Sequence, residues 1–224
     1  MREAASAGIA VLVVLGGLTL AGVLGSNGPD PAAVPVTTEP GRHAPQERKI
    51  AAAAESARCP ELTNPGGLDW RPATDPGPHP TNGTISVPAL HVDAPIVKVG
   101  VASNGKMVVP RNPRDVAWLH QGAFPSETQN AVLAGHVSYS GTPGVFSRLR
   151  ELKPGSGVSV EIDGERWRFR VTWNCLFDRD TALAAKIMGR TDVVSVTLIS
   201  CGGVFDRGAR THTKRIAVRG ELVG

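Results

Sequence analysis

From Gly83 to the C-terminus, apolar positions fall in short runs separated by Asp, Asn, Gly and Pro, a pattern of strands and turns rather than long helices. GTISVPAL, APIVKVGV, KMVVP and NAVLAGHV succeed one another in this way. VSVEID and RWRFRVTWNC then flank Asp163-Gly164, a two-residue hairpin signal. In RWRFRVTW, arginines alternate with large apolar side chains, so one face is buried and the other wet. TALAAKIM reads as a short helix capped by Asp180 or Thr181. VVSVTLIS is the most apolar strand, and KRIAVRGELV closes the chain. Roughly eight strands with at most short helices predict a mainly β domain over residues 81–224, folded as a closed or nearly closed barrel.

The region before the barrel has a different pattern. Residues 7–25, AGIAVLVVLGGLTLAGVLG, are nineteen mostly apolar positions, and no side chain between Ala4 and Pro29 is charged. As a helix this run would measure about 28 Å, the thickness of a bilayer's hydrocarbon core. A cleaved export signal is the alternative, but its apolar region is usually shorter. Residues 1–25 are therefore expected to be a cytoplasmic N-terminus and transmembrane anchor. Arg2 precedes the run and Asp30 and Glu39 lie beyond it, which sets the N-terminus inside. Either reading exports the chain from residue 26 onward. Residues 26–80 are dense in Pro and Gly without a sustained period, as expected of an extracellular tether, with a short helix expected over 47–57.

Composition narrows the function classes. The 224 residues are 41% hydrophobic and 20% charged, as in a globular chain. Aromatic residues make up only 4%, so the core rests on aliphatic side chains, and base stacking of the kind nucleic-acid modules use is disfavoured. Residues 1–81 carry six Lys/Arg and eight Asp/Glu, whereas 82–224 carry eighteen and twelve. The barrel is thus the basic part. Its basic residues are scattered along strands of an exported domain, so nucleic acid is not the expected partner, and anionic lipid or wall polymer remains.

Three cysteines in an exported chain leave at least one without an intramolecular partner. No two have metal-type spacing with each other or with a His, and no carboxylate cluster suggests Ca²⁺, so no metal or cofactor is expected. Cys201 ends the apolar strand and is succeeded by Gly202-Gly203, which leave a thiol accessible at a strand edge. It is a candidate nucleophile; an ordinary buried Cys is the alternative. A nucleophilic thiol needs an imidazole neighbour. Of six His, His136 comes at the end of NAVLAG beside a small Gly135, with His120 as competitor. Arg215 lies at the start of the last strand, antiparallel to the cysteine strand, where a guanidinium could hold an oxyanion. Arg210 competes from the same loop, and solvated surface charge is the alternative for both.

AGHV followed by GTPGVFSRLRELKPG, then TLISCGG and RIAVRG, resembles the sortase pattern of a strand-end His, a strand-end Cys and an Arg opening the final strand. ISVPALHVDAPIVKVGV, NPRDVAWLHQGAFP and CGGVFD are most similar to actinobacterial class F sortases, with class E next. The resemblance implies an eight-stranded sortase β-barrel and a cysteine transpeptidase acting outside the membrane, without a cofactor. Cys201 would attack the carbonyl after Thr in an LPxTG-like sorting signal of a secreted protein and form a thioacyl enzyme. His136 would serve as acid and then base, and Arg215 would hold substrate and oxyanion. A peptidoglycan-precursor amine would resolve the thioester. Ser200 stands where many members carry Thr and joins Arg210 as a substrate-binding candidate. In sortases the connection over 177–193 commonly walls the groove, so Leu183 and Ile187 are groove candidates, with core burial as the alternative. A hydrolase of the same fold shares this machinery, and a wall-polymer-binding barrel without catalysis is the rival class. With Cys201 assigned, Cys59 and Cys175 remain, and a bond between them would fasten the tether to the barrel.

Overall fold

The computed structural model describes residues 59–62, 73–75, 77–179 and 182–223. Its strands are β1 (His79–Val87), β2 (Val92–Val99), β3 (Val116–Leu119), β4 (Asn130–Ala134), β5 (Ser138–Tyr139), β6 (Thr142–Pro143), β7 (Gly157–Ile162), β8 (Glu165–Asp178), β9 (Ser195–Asp206) and β10 (Thr211–Leu222), with one α-helix, α1 (Ala182–Met188). Eight of them close a barrel in the order β1-β2-β3-β4-β9-β10-β8-β7, while β5 and β6 form a separate small hairpin. The pairs β2–β3 and β4–β9 are parallel and the others antiparallel. Closure removes the unpaired sheet edges. The expected mainly β barrel of eight strands is thus what the chain forms.

Strand alternation sorts the side chains into an inner and an outer layer. Ile85, Leu133, Phe146, Phe169, Leu198 and Val218 belong to the enclosed core and are at most 1% exposed. On the outer side of β8 and β10, Cys175, Phe177 and Ala217 pack against Ala184 and Ile187 of α1. On the outer side of β3, β4 and β9, Leu119, Val132 and Ile199 form a third cluster with Val101. The barrel thus has its own core, and residues His43–Gly224 form a compact unit. These features allow it to fold without the preceding segment.

The Asp163-Gly164 turn forms as expected, with both residues at positive φ (54° and 87°), the backbone a tight two-residue hairpin requires. One local expectation fails. KMVVP is not a barrel strand; Met107 makes only an isolated bridge to Val101, and prolines at 110 and 113 supply no ladder N–H. The barrel position is taken by Val116–Leu119, which carries no alternation because all four residues are buried. Lone apolar runs of this length give no periodic signal.

Cys59 and Cys175 are disulfide-bonded, with Cα atoms 4.8 Å apart at a sequence separation of 116. Cys59 and Leu62 thereby lie on the α1 cluster. The expected anchor over 7–25 and the short helix over 47–57 fall outside the described residues. No helix among the described residues is long and apolar enough to cross a membrane.

Candidate active site

Three neighbouring strands carry the candidate residues. β9 lies between β4 and β10, with Ala134 level with Ile199 on one side and Arg215 directly opposite Cys201 on the other. Two residues beyond Ala134, His136 reaches the level of Cys201, because the β4–β9 pair is parallel and continues through the Gly135 N–H to the Ile199 carbonyl at 3.0 Å. His136, Cys201 and Arg215 therefore form one row across three strands. All three are half-buried. Directly opposed residues in such a ladder lie about 5 Å apart at Cα, within side-chain reach.

The backbone around the row is tightly specified. A Cβ on Gly135 would come within 2.6 Å of Phe146 and Val145 side-chain atoms. One on Gly144 would lie 2.2 Å from the His136 carbonyl oxygen. The Phe146 N–H also donates to that carbonyl at 3.0 Å. The His136 ring is fixed through Nε2, which lies 2.7 Å from the Pro110 carbonyl oxygen. A carbonyl only accepts, so Nε2 bears the proton and Nδ1 is the nitrogen left for exchange with a substrate or thiol. The Tyr139 ring lies against His136 with centroids 5.0 Å apart. Beyond Cys201, Gly203 adopts φ 72°, and a bulge interrupts the partner strand between His212 and Lys214. The glycines after the cysteine thus serve close backbone approach and a left-handed turn as well as an open thiol.

Arg215 Nη1 donates to the carbonyls of His212 (3.0 Å) and Lys214 (2.8 Å), and Nη2 to Thr211 Oγ1 (3.4 Å). These bonds fix the guanidinium at the base of the β9–β10 hairpin and leave Nε–H and a second Nη2–H uncommitted among its five donors. Its charge also acts on His212, whose imidazole is held below the ordinary value by burial first and Arg215 second.

The remaining candidates fall elsewhere. Ser200, one residue before Cys201, points to the opposite face; it is 2% exposed and donates to the Gly135 carbonyl at 2.9 Å, which makes it a brace between β4 and β9 rather than a substrate contact. Ile187 is fully buried in the α1 cluster, so it packs α1 onto β8 and β10 rather than lining an open groove. Leu183 is half-buried beside the same cluster. Arg210 is exposed in the hairpin turn at φ 51°, outside the row. His120 follows β3; the antiparallel pairing of Ala117 with Ala134 sends it toward the far end of β4, and its Nδ1 lies 2.8 Å from the Val99 carbonyl. A recess of about 230 Å³ lined by Pro80, Asn82, Lys98, Ile162 and Asp163 contains no member of the row.

Sequence reasoning missed a second polar row on the same outer face. Asn130 Oδ1 accepts from Thr197 Oγ1 at 2.7 Å, and Arg219 Nε donates to that same hydroxyl at 2.8 Å. Arg219 Nη2 reaches the Ile187 carbonyl at 2.7 Å, while Asn130 Nδ2 lies within 3.2 Å of the carbonyls of Ile187, Met188 and Gly189. Together they satisfy the carbonyls that the end of α1 leaves open. Burial holds the Arg219 guanidinium down to about 10, so it remains charged at neutral pH. Pro110 was missed as well, because a backbone carbonyl has no residue signature.

The closed barrel thus carries a half-buried free thiol, with Arg215 opposite it on one neighbouring strand and His136 just past the end of the other. The Sortase domain profile matches residues 85–223, more than half of the chain, and the chain belongs to the sortase family, a family of cysteine transpeptidases. The fold is similar to sortase A from Corynebacterium diphtheriae (TM-score 0.52, 18% identity, 65% of this chain and 62% of that one). It is also similar to sortase C-1 from Actinomyces oris (TM-score 0.53, 20% identity, 82% and 99%) and to sortase A of Listeria monocytogenes (TM-score 0.51, 20% identity, 64% and 88%). The match thus spans less than two thirds of the C. diphtheriae chain. No curated protein matches this chain.

Proposed function

We propose that this chain is a membrane-anchored sortase of the class F type, with its barrel outside the cell, that cleaves an LPxTG-like signal and transfers the secreted protein to a cell-wall amine. The observation that carries this reading is the single row formed by His136, Cys201 and Arg215 across β4, β9 and β10. The Cys201 sulfur, its proton taken by His136 Nδ1, adds to the carbonyl carbon that comes after Thr. Arg215 donates from its uncommitted N–H groups to the oxyanion. The C–N bond breaks as His136 returns the proton to the leaving amine, and a thioester remains. The acceptor amine, from a peptidoglycan precursor, then adds to the thioester and gives its proton to His136. Collapse expels the sulfur, which regains the proton, so one amide is exchanged for another with no redox change. Neither a metal nor a cofactor enters any step.

The test is incubation of the barrel with LPxTG and LAxTG peptides plus an amine, then intact mass, with Cys201→Ala as control. A Cys201-dependent acyl adduct that passes to the amine is expected. An adduct that passes only to water would replace the transpeptidase with a hydrolase. A thiol inert to both peptides and to a small thiosulfonate would overturn the catalytic reading in favour of a wall-polymer-binding module.

A further inference from the structure

The exposed large apolar side chains among the described residues fall into two groups. Val193, Leu222 and Val223 lie where β9 begins and β10 ends. Val109, Tyr139, Val204 and Phe205 instead surround the row. Val109 precedes the proline whose carbonyl takes the His136 Nε2–H. Tyr139 lies against the His136 ring. Val204 and Phe205 continue β9 beyond Cys201 and are 76% and 50% exposed. Three separate segments thus present apolar side chains at one rim, all on projections: a loop, the small β5–β6 hairpin and the β9–β10 hairpin.

The same rim is cationic. Residues 109–115 and 201–215 contain six Lys/Arg and two Asp, with Lys214 paired to Asp178 of β8 at 3.0 Å. Both carboxylates are turned to local partners, Asp206 accepting from the Gly208 and Ala209 N–H groups and Asp115 from Asn112 Nδ2. Arg111, Arg114, Arg207 and Arg210 are exposed.

We propose that this rim rests on an anionic lipid surface, with the apolar tips at the acyl boundary and the guanidinium groups among phosphates. A soluble anionic polymer would answer the charge but give the four apolar side chains nothing to bury against. A peptide ligand needs a strand edge or a groove, whereas these side chains are spread over a loop and two hairpins, which suits a deformable lipid surface. The choice of lipid rests on the reading of the chain as membrane-anchored. Docking would hold Cys201 at headgroup level.

Flotation of residues 43–224 with vesicles of equimolar phosphatidylglycerol and phosphatidylcholine, against phosphatidylcholine alone, tests this. Partition about tenfold or more in favour of the anionic vesicles is expected. Val204→Asp with Phe205→Ser should lower it about tenfold while the barrel stays folded, and Arg114→Glu with Arg207→Glu should abolish the preference for phosphatidylglycerol. Equal flotation on both lipids overturns the proposal, as does wild-type flotation of the Val204/Phe205 double variant. Binding to soluble poly-glutamate without flotation would also overturn it, assigning the rim to a polymer. The peptide-transfer assay uses no lipid, so the outcomes separate: a barrel that transfers without floating overturns this inference alone, and one that floats without transferring overturns the catalytic reading alone.

Discussion

The outer face of β4, β9 and β10 carries two polar rows that differ in how their hydrogen-bonding capacity is used. At one end, Asn130, Thr197 and Arg219 are at most 4% exposed and bond one another and the end of α1. At the other, His136, Cys201 and Arg215 are half-buried, with His136 held by the Pro110 carbonyl and Arg215 by the hairpin carbonyls. Ala134, Ile199 and Ala217 lie level with one another between the two rows. The strands are the same and the side-chain types are comparable, an Arg directly across from a small nucleophilic group in each case. Burial and saturation make one row a structural clasp, whereas incomplete coverage leaves the other chemically available.

The largest expected effect is at the open row. Cys201→Ser should reduce transfer by on the order of 10⁴-fold or more with little change in melting temperature, since the site is partly open and the swap nearly isosteric. The converse change, Thr197→Cys, should yield a thiol inert to a thiosulfonate, because position 197 is fully buried. Equal reactivity of the two thiols would show that coverage by α1 does not distinguish the rows. Next comes Arg215→Ala, expected to lower the transfer rate by about 10²- to 10³-fold, the range found when an oxyanion donor is removed. Arg215→Lys should recover only part, since an ammonium lacks the fixed fork that holds the hairpin carbonyls and still points a donor forward. A near wild-type Arg215→Ala enzyme would shift the role to Arg210.

The closed row should respond in stability instead. Arg219→Met removes hydrogen bonds to Thr197 and to the Ile187 carbonyl and is expected to cost about 3 kcal/mol, roughly 6–12 °C in melting temperature. Transfer per folded molecule should stay close to wild type. Thr197→Val should cost less, about 2 kcal/mol, by leaving Asn130 and Arg219 each short of one partner. A proportional fall in kcat without a thermal shift in either variant would mean that the two rows are coupled rather than separate.

Part of the open row was legible because His136 and Cys201 each adjoin a glycine beside an apolar run, although Cys201 and Arg215 lie inside β9 and β10 rather than at the strand ends the sequence pattern suggests. Cys201 and Arg215 fall into register from hairpin logic alone: one strand returns antiparallel to another, and the spacing does the rest. The closed row gave no comparable signal. Asn130 opens an apolar strand, Thr197 passes for a β-branched strand residue, and Arg219 reads as surface charge, so only three-dimensional coverage by α1 distinguishes it from Arg215. Alternation could have placed Ser200 opposite Cys201, and Ile187, left open between groove and core, is buried in the core because an apolar helix offers two faces that sequence alone does not rank. KMVVP misled for a related reason: local β propensity says nothing of whether a partner strand is within reach.

The smallest effect concerns the hinge between the open row and its hairpin. His212 is held below its ordinary value by burial and by the Arg215 charge, so the folded state disfavours its proton. Above the ordinary histidine range both folded and unfolded chains carry it neutral, and nothing is lost. As the pH falls through that range the unfolded chain takes up the proton first, so stability declines until the folded-state value is passed. The protonated ring would then repel the guanidinium whose Nη1 bonds the His212 carbonyl, loosening Arg215 as well as the stacked Phe205. Melting temperatures between pH 7.5 and 5 should therefore fall slightly more for the wild-type barrel than for His212→Gln. Protection of residues 203–212 against hydrogen exchange should fall over the same interval in the wild type only. Identical pH slopes in the two proteins would remove His212 from the account and leave Arg215 held by its carbonyl contacts alone.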